Sequence, residues 1–216
     1  MPQIKAVLFD LDGTLADTAQ DLAYALNQVL IEQGQSPLPF ETIRPVVSHG
    51  GIALIKLGFK LSPEDERFDP LRQRLLSIYE NNICQKTVLF PQIQEILNDL
   101  TLNEIKWGIV TNKPGWLTYP LLDAMKITPA PETVVCGDTL EQRKPHPAPL
   151  LHACKEMNLL PEQCIYTRSN FFCLGFIKVR KHIVTNRALN TLHCTRISIK
   201  LTFSHPEHVI FHSYRR

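Results

Sequence analysis

Residues 7–15, VLFDLDGTL, constrain the fold of this chain more than any other stretch, because an apolar run ends in two closely spaced carboxylates. Residues 4–9 are typical of a buried strand of a parallel sheet, and the Gly-Thr pair behind the acids supplies a tight turn. In open α/β sheets, ligands bind at the carboxyl ends of the strands. Asp10 and Asp12 would therefore project into the same space, where a hard cation such as Mg²⁺ relieves their mutual repulsion.

An Asp-x-Asp-Gly tetrapeptide on its own is equally typical of an Asx turn or a calcium-binding loop. The strand in front of it and the helix-like residues 18–33 behind it favour a different interpretation. Together these features resemble the first motif of the haloacid dehalogenase superfamily of phosphatases. The resemblance implies that Asp10 is the nucleophile and Asp12 the general acid/base. It also implies that both bind Mg²⁺, Asp10 through its side chain and Asp12 through its backbone carbonyl.

A second strand candidate, residues 107–110, ends in Thr111 and Asn112 and resembles the second motif of the same family. There the Thr111 hydroxyl would donate a hydrogen bond to a phosphoryl oxygen, and Asn112 belongs to the same phosphate-binding segment. The alternative for a Thr-Asn pair at a strand end is an ordinary turn.

The sequence RKPHP at residues 143–147 precedes a helix-like stretch, residues 148–157, and resembles the third motif. Its Lys144 would neutralise the carboxylates and the transferring phosphate as a compact point charge. A lone lysine is usually solvated surface, so the assignment depends on this context and on the order of the motifs.

About ninety residues separate the first motif from the second, too many for a simple βαβ crossover by the usual loop lengths. They carry helical patterns at residues 17–33, 41–47, 52–59 and 63–82. We therefore predict an α/β fold in which a Rossmann-like parallel sheet, residues 1–15 and 88–166, carries an inserted all-helical cap, residues 16–87. The insert resembles the mobile cap of the phosphoglycolate phosphatase branch of the family, which closes over the active site.

Within this insert, His49, Gly50 and Gly51 precede a helical pattern. Backbone N–H groups at a helix N-terminus bind anions well, so these residues are candidates for contacting the substrate. An ordinary turn between two helices is the alternative.

The resemblance ends after a third strand candidate, residues 164–166. Family members continue with a fourth motif, Gly-Asp and a second acid a few residues later, and these acids complete the metal site. This chain continues with Thr167, Arg168 and Ser169, and its next acid is Glu207.

The composition changes at the same point. Residues 1–166 hold 14 Lys/Arg and 20 Asp/Glu, whereas residues 167–216 hold 9 and 1. Such a change is typical of a shifted reading frame or a replaced C-terminus, and it predicts an irregular, basic tail over residues 167–216. A tail that binds nucleic acid or membrane is the alternative, but the basic residues are scattered rather than clustered.

The resemblance implies a Mg²⁺-dependent phosphatase that hydrolyses a small phosphomonoester of the phosphoglycolate type through an aspartyl-phosphate, impaired by loss of the fourth motif. Residues 1–166 are also similar to N-acetylmuramic acid 6-phosphate phosphatases of cell-wall recycling. A remnant that only binds a phosphorylated ligand is the third possibility. No signal-peptide pattern follows Met1 and the six cysteines lack C-x-x-C spacing, so we expect a cytoplasmic protein. We also expect a monomer or homodimer that acts on a small phosphorylated metabolite, without nucleic-acid or membrane partners.

The composition of the tail leads to a direct test. With one glycine and no clear periodicity, residues 167–216 should pack poorly on the sheet and be the first region cut in limited proteolysis followed by mass spectrometry. Protection equal to that of the sheet strands would contradict this prediction.

Overall fold

The computed structural model describes residues 3–168, which form helices and strands in alternation. In chain order these are β1 (Ala6–Phe9), β2 (Ala16–Asp17), α1 (Ala19–Glu32), α2 (Phe40–Val47), α3 (Gly50–Phe59), α4 (Phe68–Asn81), β3 (Val88–Leu89), α5 (Ile93–Leu102), β4 (Lys106–Val110), α6 (Gly115–Met125), β5 (Thr133–Val135), α7 (Ala148–Glu156) and β6 (Cys164–Thr167).

The main sheet has the strand order β5-β4-β1-β6, and its strands pair in parallel. All four residues of β1 are buried because helices cover both faces of the sheet. One face packs on α5 and α6, and the other packs on α7. The carboxyl ends of β1, β4 and β6 therefore meet at one edge, with β1 in the middle.

Helices α1 to α4 bury their apolar faces against one another in a separate cluster. The inserted helical segment was predicted from the length and pattern of this stretch. Leu117 of α6 also packs in the cluster, so the helix that follows β4 contacts both the sheet and the inserted helices. Domain boundaries at residues 16 and 87 stay a prediction.

The chain leaves the sheet and returns to it through two short strands, β2 and β3, which pair antiparallel. The buried Asp21, near the start of α1, connects the outgoing chain to the residues just before β3. Its carboxylate accepts hydrogen bonds from the backbone N–H of Lys86 at 2.9 Å, the backbone N–H of Thr87 at 3.0 Å and the Thr87 hydroxyl at 2.7 Å. These bonds satisfy a buried charge and hold the start of α1 against the returning chain.

The structure differs from the sequence patterns at several points. The helix predicted for residues 63–82 begins only at Phe68, whose side chain is buried in the helical cluster. Before it the chain turns, and Asp65 accepts bonds from the backbone N–H and the guanidinium of Arg67. The patterns did not predict the β2–β3 ribbon, α6 or β5.

Of the predicted irregular tail, only Thr167 and Arg168 lie within the described residues. Thr167 extends β6 one residue beyond the predicted strand. Across residues 3–168, every helix is too short or too polar to cross a membrane.

Candidate active site

Asp10 and Asp12 lie in the loop that follows the central strand β1. The Asp10 backbone N–H donates to the Thr167 carbonyl at 3.0 Å, so the loop begins in register with β6. Gly13 has a φ of +77°, a left-handed conformation that favours glycine, and its N–H donates to the Ala16 carbonyl at 2.9 Å. This turn brings the two acids to the carboxyl edge of the sheet together.

Lys144 reaches the same point from the loop before α7. Its ammonium lies 2.8 Å from Asp10 Oδ1 and donates to the Val110 carbonyl at 2.6 Å and to the Tyr166 hydroxyl at 2.8 Å. These contacts engage all three ammonium protons and aim the charge at Asp10. Burial lowers the pKa of Lys144, and the Asp10 carboxylate offsets this only in part.

Asp12 has a different cation, which the sequence motifs did not assign. The Lys113 ammonium lies 3.1 Å from Asp12 Oδ1, and the Thr18 hydroxyl donates to the same oxygen at 2.7 Å. Burial alone would lower the pKa of Lys113, but Asp12 and Tyr79 outweigh it and the pKa is raised. The only feature of the sequence that pointed to this contact was the position of Lys113 two residues after Thr111. Lysine side chains are usually exposed, so this position alone did not predict a buried ion pair.

Tyr79 of α4 contributes a further contact from the inserted helices. The Lys113 ammonium sits over its ring, 4.3 Å from the centroid. A buried ammonium over an aromatic face gains cation–π stabilisation. Burial raises the pKa of Tyr79 to about 12, so the phenol is neutral at physiological pH.

Thr111 and Asn112 follow β4 and face this edge. The Thr111 hydroxyl accepts the Lys113 backbone N–H at 3.1 Å, which leaves its own proton available as a donor. The Asn112 amide pairs with the backbone of Lys144, accepting its N–H at 3.0 Å and donating to its carbonyl at 2.9 Å. Asn112, predicted as part of the phosphate-binding segment, therefore fixes the loop that carries Lys144.

Gly137, after β5, has no side chain and so lets the backbone of Asn112 approach closely. Its N–H donates to the Lys113 carbonyl at 2.8 Å, and a Cβ at this position would overlap the backbone of Asn112. Only glycine permits so close an approach without a backbone shift.

Of the predicted His49-Gly50-Gly51 turn, both glycines belong to helix α3. His49 caps α3, which begins at Gly50 with a φ of +76°. The neighbouring Ser48 packs against the aspartate loop, since a Cβ on Gly13 would stand 3.5 Å from its Cβ. The structure thus brings the turn next to the loop of Asp10 and Asp12.

Arg168 is the last described residue and a third basic group at this edge. Its Nε lies 3.6 Å from Asp10 Oδ2, and its side chain is 51% exposed. The sequence motifs assigned it no role, because the resemblance ends at this point.

Comparison with known proteins identifies the family of this chain. The family model described as haloacid dehalogenase-like hydrolase matches residues 7–167. The chain belongs to this family. The match runs from β1 to β6 and ends one residue before Arg168. It confirms both the predicted resemblance and the parallel α/β fold class.

Among curated relatives, the phosphoglycolate phosphatase of Nitrosospira multiformis is 39% identical over 166 residues, which is 75% of this chain and 73% of that protein. The N-acetylmuramic acid 6-phosphate phosphatase of Pseudomonas putida is 34% identical over 164 residues, 76% of this chain and 74% of that protein. The crystal structure of a predicted phosphoglycolate phosphatase from Haemophilus somnus superimposes with a TM-score of 0.67 at 27% identity and 77% coverage of both chains. Both curated relatives are thus named as phosphatases.

Phosphatases of this family generally use Mg²⁺, so the donors around Asp10 and Asp12 can be compared with what that ion needs. Octahedral Mg²⁺ takes six oxygen ligands and is usually held by carboxylates. Across residues 3–168 no group of three or more acidic, histidine or cysteine side chains is placed to hold a metal. The two carboxylates instead face Lys144, Lys113 and Arg168. The described residues alone therefore do not form a complete Mg²⁺ site.

The close approach at Gly137 gives a prediction for stability. Gly137→Ala should lower the free energy of unfolding by about 1–3 kcal/mol, because the new methyl group forces the backbone of Asn112 to move. Urea denaturation measures this change. Gly51→Ala is the matched control, since its Cβ would meet Leu76 at an ordinary 3.6 Å. Equal stability of the two variants would contradict the proposed constraint.

Proposed function

We propose that this hydrolase is a phosphatase that cleaves a small phosphomonoester through an aspartyl-phosphate on Asp10. The observation that carries the proposal is the pair of acids at the carboxyl end of β1, with the Lys144 ammonium 2.8 Å from Asp10 and the Lys113 ammonium 3.1 Å from Asp12. A nucleophilic carboxylate beside buried positive charge suits attack on an anionic phosphate.

In the first step, an Asp10 carboxylate oxygen attacks phosphorus in line and the bond from phosphorus to the ester oxygen breaks. Protonated Asp12 gives its proton to the departing alkoxide. In the second step, Asp12 takes a proton from water, which attacks the aspartyl-phosphate and releases inorganic phosphate and the Asp10 carboxylate. Asp12 is thereby returned to its protonated form.

Thr111 and Lys144 stabilise the transferring group. The Thr111 hydroxyl proton is directed to a phosphoryl oxygen, and Lys144 supplies fixed positive charge without needing to reorganise. Asn112 acts as a positioning residue, because its two bonds to the Lys144 backbone hold that loop at the site.

The turn at His49, Gly50 and Gly51 faces the substrate in this proposal. Its location beside Gly13 and the N-terminus of α3 would place backbone N–H groups near an anionic part of the substrate. Closure of the helical segment would exclude water from the reaction.

We propose that this site binds Mg²⁺ only weakly. Asp10 and Asp12 would supply only part of its ligands, and the acids that complete the site in family members are absent from the sequence between Glu162 and Glu207. We therefore propose much lower activity, with a raised Mg²⁺ requirement, than an intact family member shows.

Phosphoglycolate is the substrate we favour, and N-acetylmuramic acid 6-phosphate is the second candidate, because relatives named for each match about three quarters of the chain. Phosphate release from both esters and from p-nitrophenyl phosphate separates these possibilities. Binding of the esters without release from any of them would identify an inactive remnant. The expectations of a cytoplasmic monomer or homodimer stay predictions.

The role of Asp10 is tested by substitution. Asp10→Asn should abolish turnover of p-nitrophenyl phosphate and leave the circular dichroism spectrum unchanged, because the amide is a poor nucleophile of nearly the same shape. Asp123→Asn, on the exposed surface of α6, is the control and should keep full activity. Substantial Mg²⁺-dependent activity in Asp10→Asn would refute the assignment.

The effect of the missing fourth motif is tested by a chimera. Replacing the chain from residue 167 onward with the corresponding C-terminus of the Nitrosospira multiformis relative should raise turnover and lower the Mg²⁺ concentration for half-maximal activity. Both are measured in a Mg²⁺ titration of phosphate release. If the natural chain already matches the chimera in both, another residue completes the site.

A further inference from the structure

The charges at the carboxyl edge of the sheet do not balance. Two carboxylates, Asp10 and Asp12, face three basic side chains, Lys144, Lys113 and Arg168, at 2.8, 3.1 and 3.6 Å. The two lysines are almost fully buried, so solvent screens their charges only weakly. The described site therefore has a net charge of about +1 with the acids ionised and no metal present.

This balance changes the charge that an incoming phosphate would meet. With Lys144 as the single assigned cation, loss of the metal-binding acids would leave two carboxylates repelling an incoming phosphate. The structure adds Lys113 against Asp12 and Arg168 against Asp10. Each carboxylate is thus neutralised by protein groups, and one positive charge is left over.

The position of Arg168 follows from the pairing of the strands. β6 stays in register with β1 up to Phe9 and Thr167, and the Asp10 N–H continues the ladder to the Thr167 carbonyl. The next residue, Arg168, must therefore lie beside Asp10. Its guanidinium presents a planar fork of donors that fits two oxygens of a carboxylate or a phosphate.

The contact between Arg168 and Asp10 is long, and half of the arginine side chain is open to solvent. Lys144, in contrast, is held by three partners. Arg168 can therefore exchange the Asp10 oxygen for an oxygen of an incoming anion at little cost, while Lys144 stays in place.

We infer that this site binds a phosphate group without a divalent cation, with Arg168 supplying positive charge where family members hold a metal with acids. The inference rests on the proposed function, since it concerns the same phosphate-binding site. It concerns binding only, so it can fail or hold independently of turnover.

The test is a ³¹P NMR titration of the full chain with inorganic phosphate in excess EDTA at low ionic strength. The natural chain should bind phosphate, and Arg168→Ala should weaken that binding by about threefold to tenfold, the range typical of one partly exposed charge contact. Arg67→Ala is the matched control, because it removes one guanidinium paired with Asp65 away from the site, and it should leave the affinity unchanged.

A second variant, Asp10→Asn, should change the affinity for phosphate in the opposite direction. Removing its negative charge should tighten phosphate binding in EDTA, whereas it would weaken binding that depends on a metal held by Asp10. Phosphate binding only after Mg²⁺ is added, equal affinities of Arg168→Ala and Arg67→Ala, or weaker binding by Asp10→Asn would each overturn the inference. Turnover lost in Asp10→Asn would still support the proposed function in any of these cases.

Discussion

The Lys144 ammonium is the interaction on which the site depends, because it joins the ends of three adjacent strands. It contacts Asp10 after β1, the Val110 carbonyl at the end of β4 and the Tyr166 hydroxyl on β6. A buried ammonium is stable only when its protons are all engaged, so these three partners fix its position. Asn112 and the close approach at Gly137 then hold the loops around it.

Residues of the inserted helices also contact the site, and these contacts link the helical cluster to the sheet. Tyr79 of α4 covers Lys113, which in turn contacts Asp12, and Ser48 packs against Gly13. The Asp21 carboxylate of α1 accepts hydrogen bonds from the backbone of Lys86 and Thr87, where the chain returns to the sheet. Any movement of the helical segment would therefore change the surroundings of Asp12 as well as the access to Asp10.

The sequence predicted the main elements because their signals are local. The apolar runs before Asp10 and Thr111 correspond to β1 and β4, and the four helical patterns correspond to α1 to α4. Short elements were missed since two or three residues, as in the β2–β3 ribbon and β5, carry no measurable periodicity. The start of α4 was misplaced because burial of Phe68, which depends on other helices, decided it.

What the sequence determined by itself was a residue pattern: an Asp pair stands behind a buried strand, and a Thr and a Lys follow at later strand and helix boundaries. The catalytic roles of these residues stay predictions. The tertiary structure decided which charges meet. Lys113 is paired with Asp12 from 101 residues away, and Arg168 reaches Asp10 only because β6 lies beside β1 in a fixed register. Electrostatic balance depends on distances between segments far apart in the chain, and only the packed sheet sets those distances.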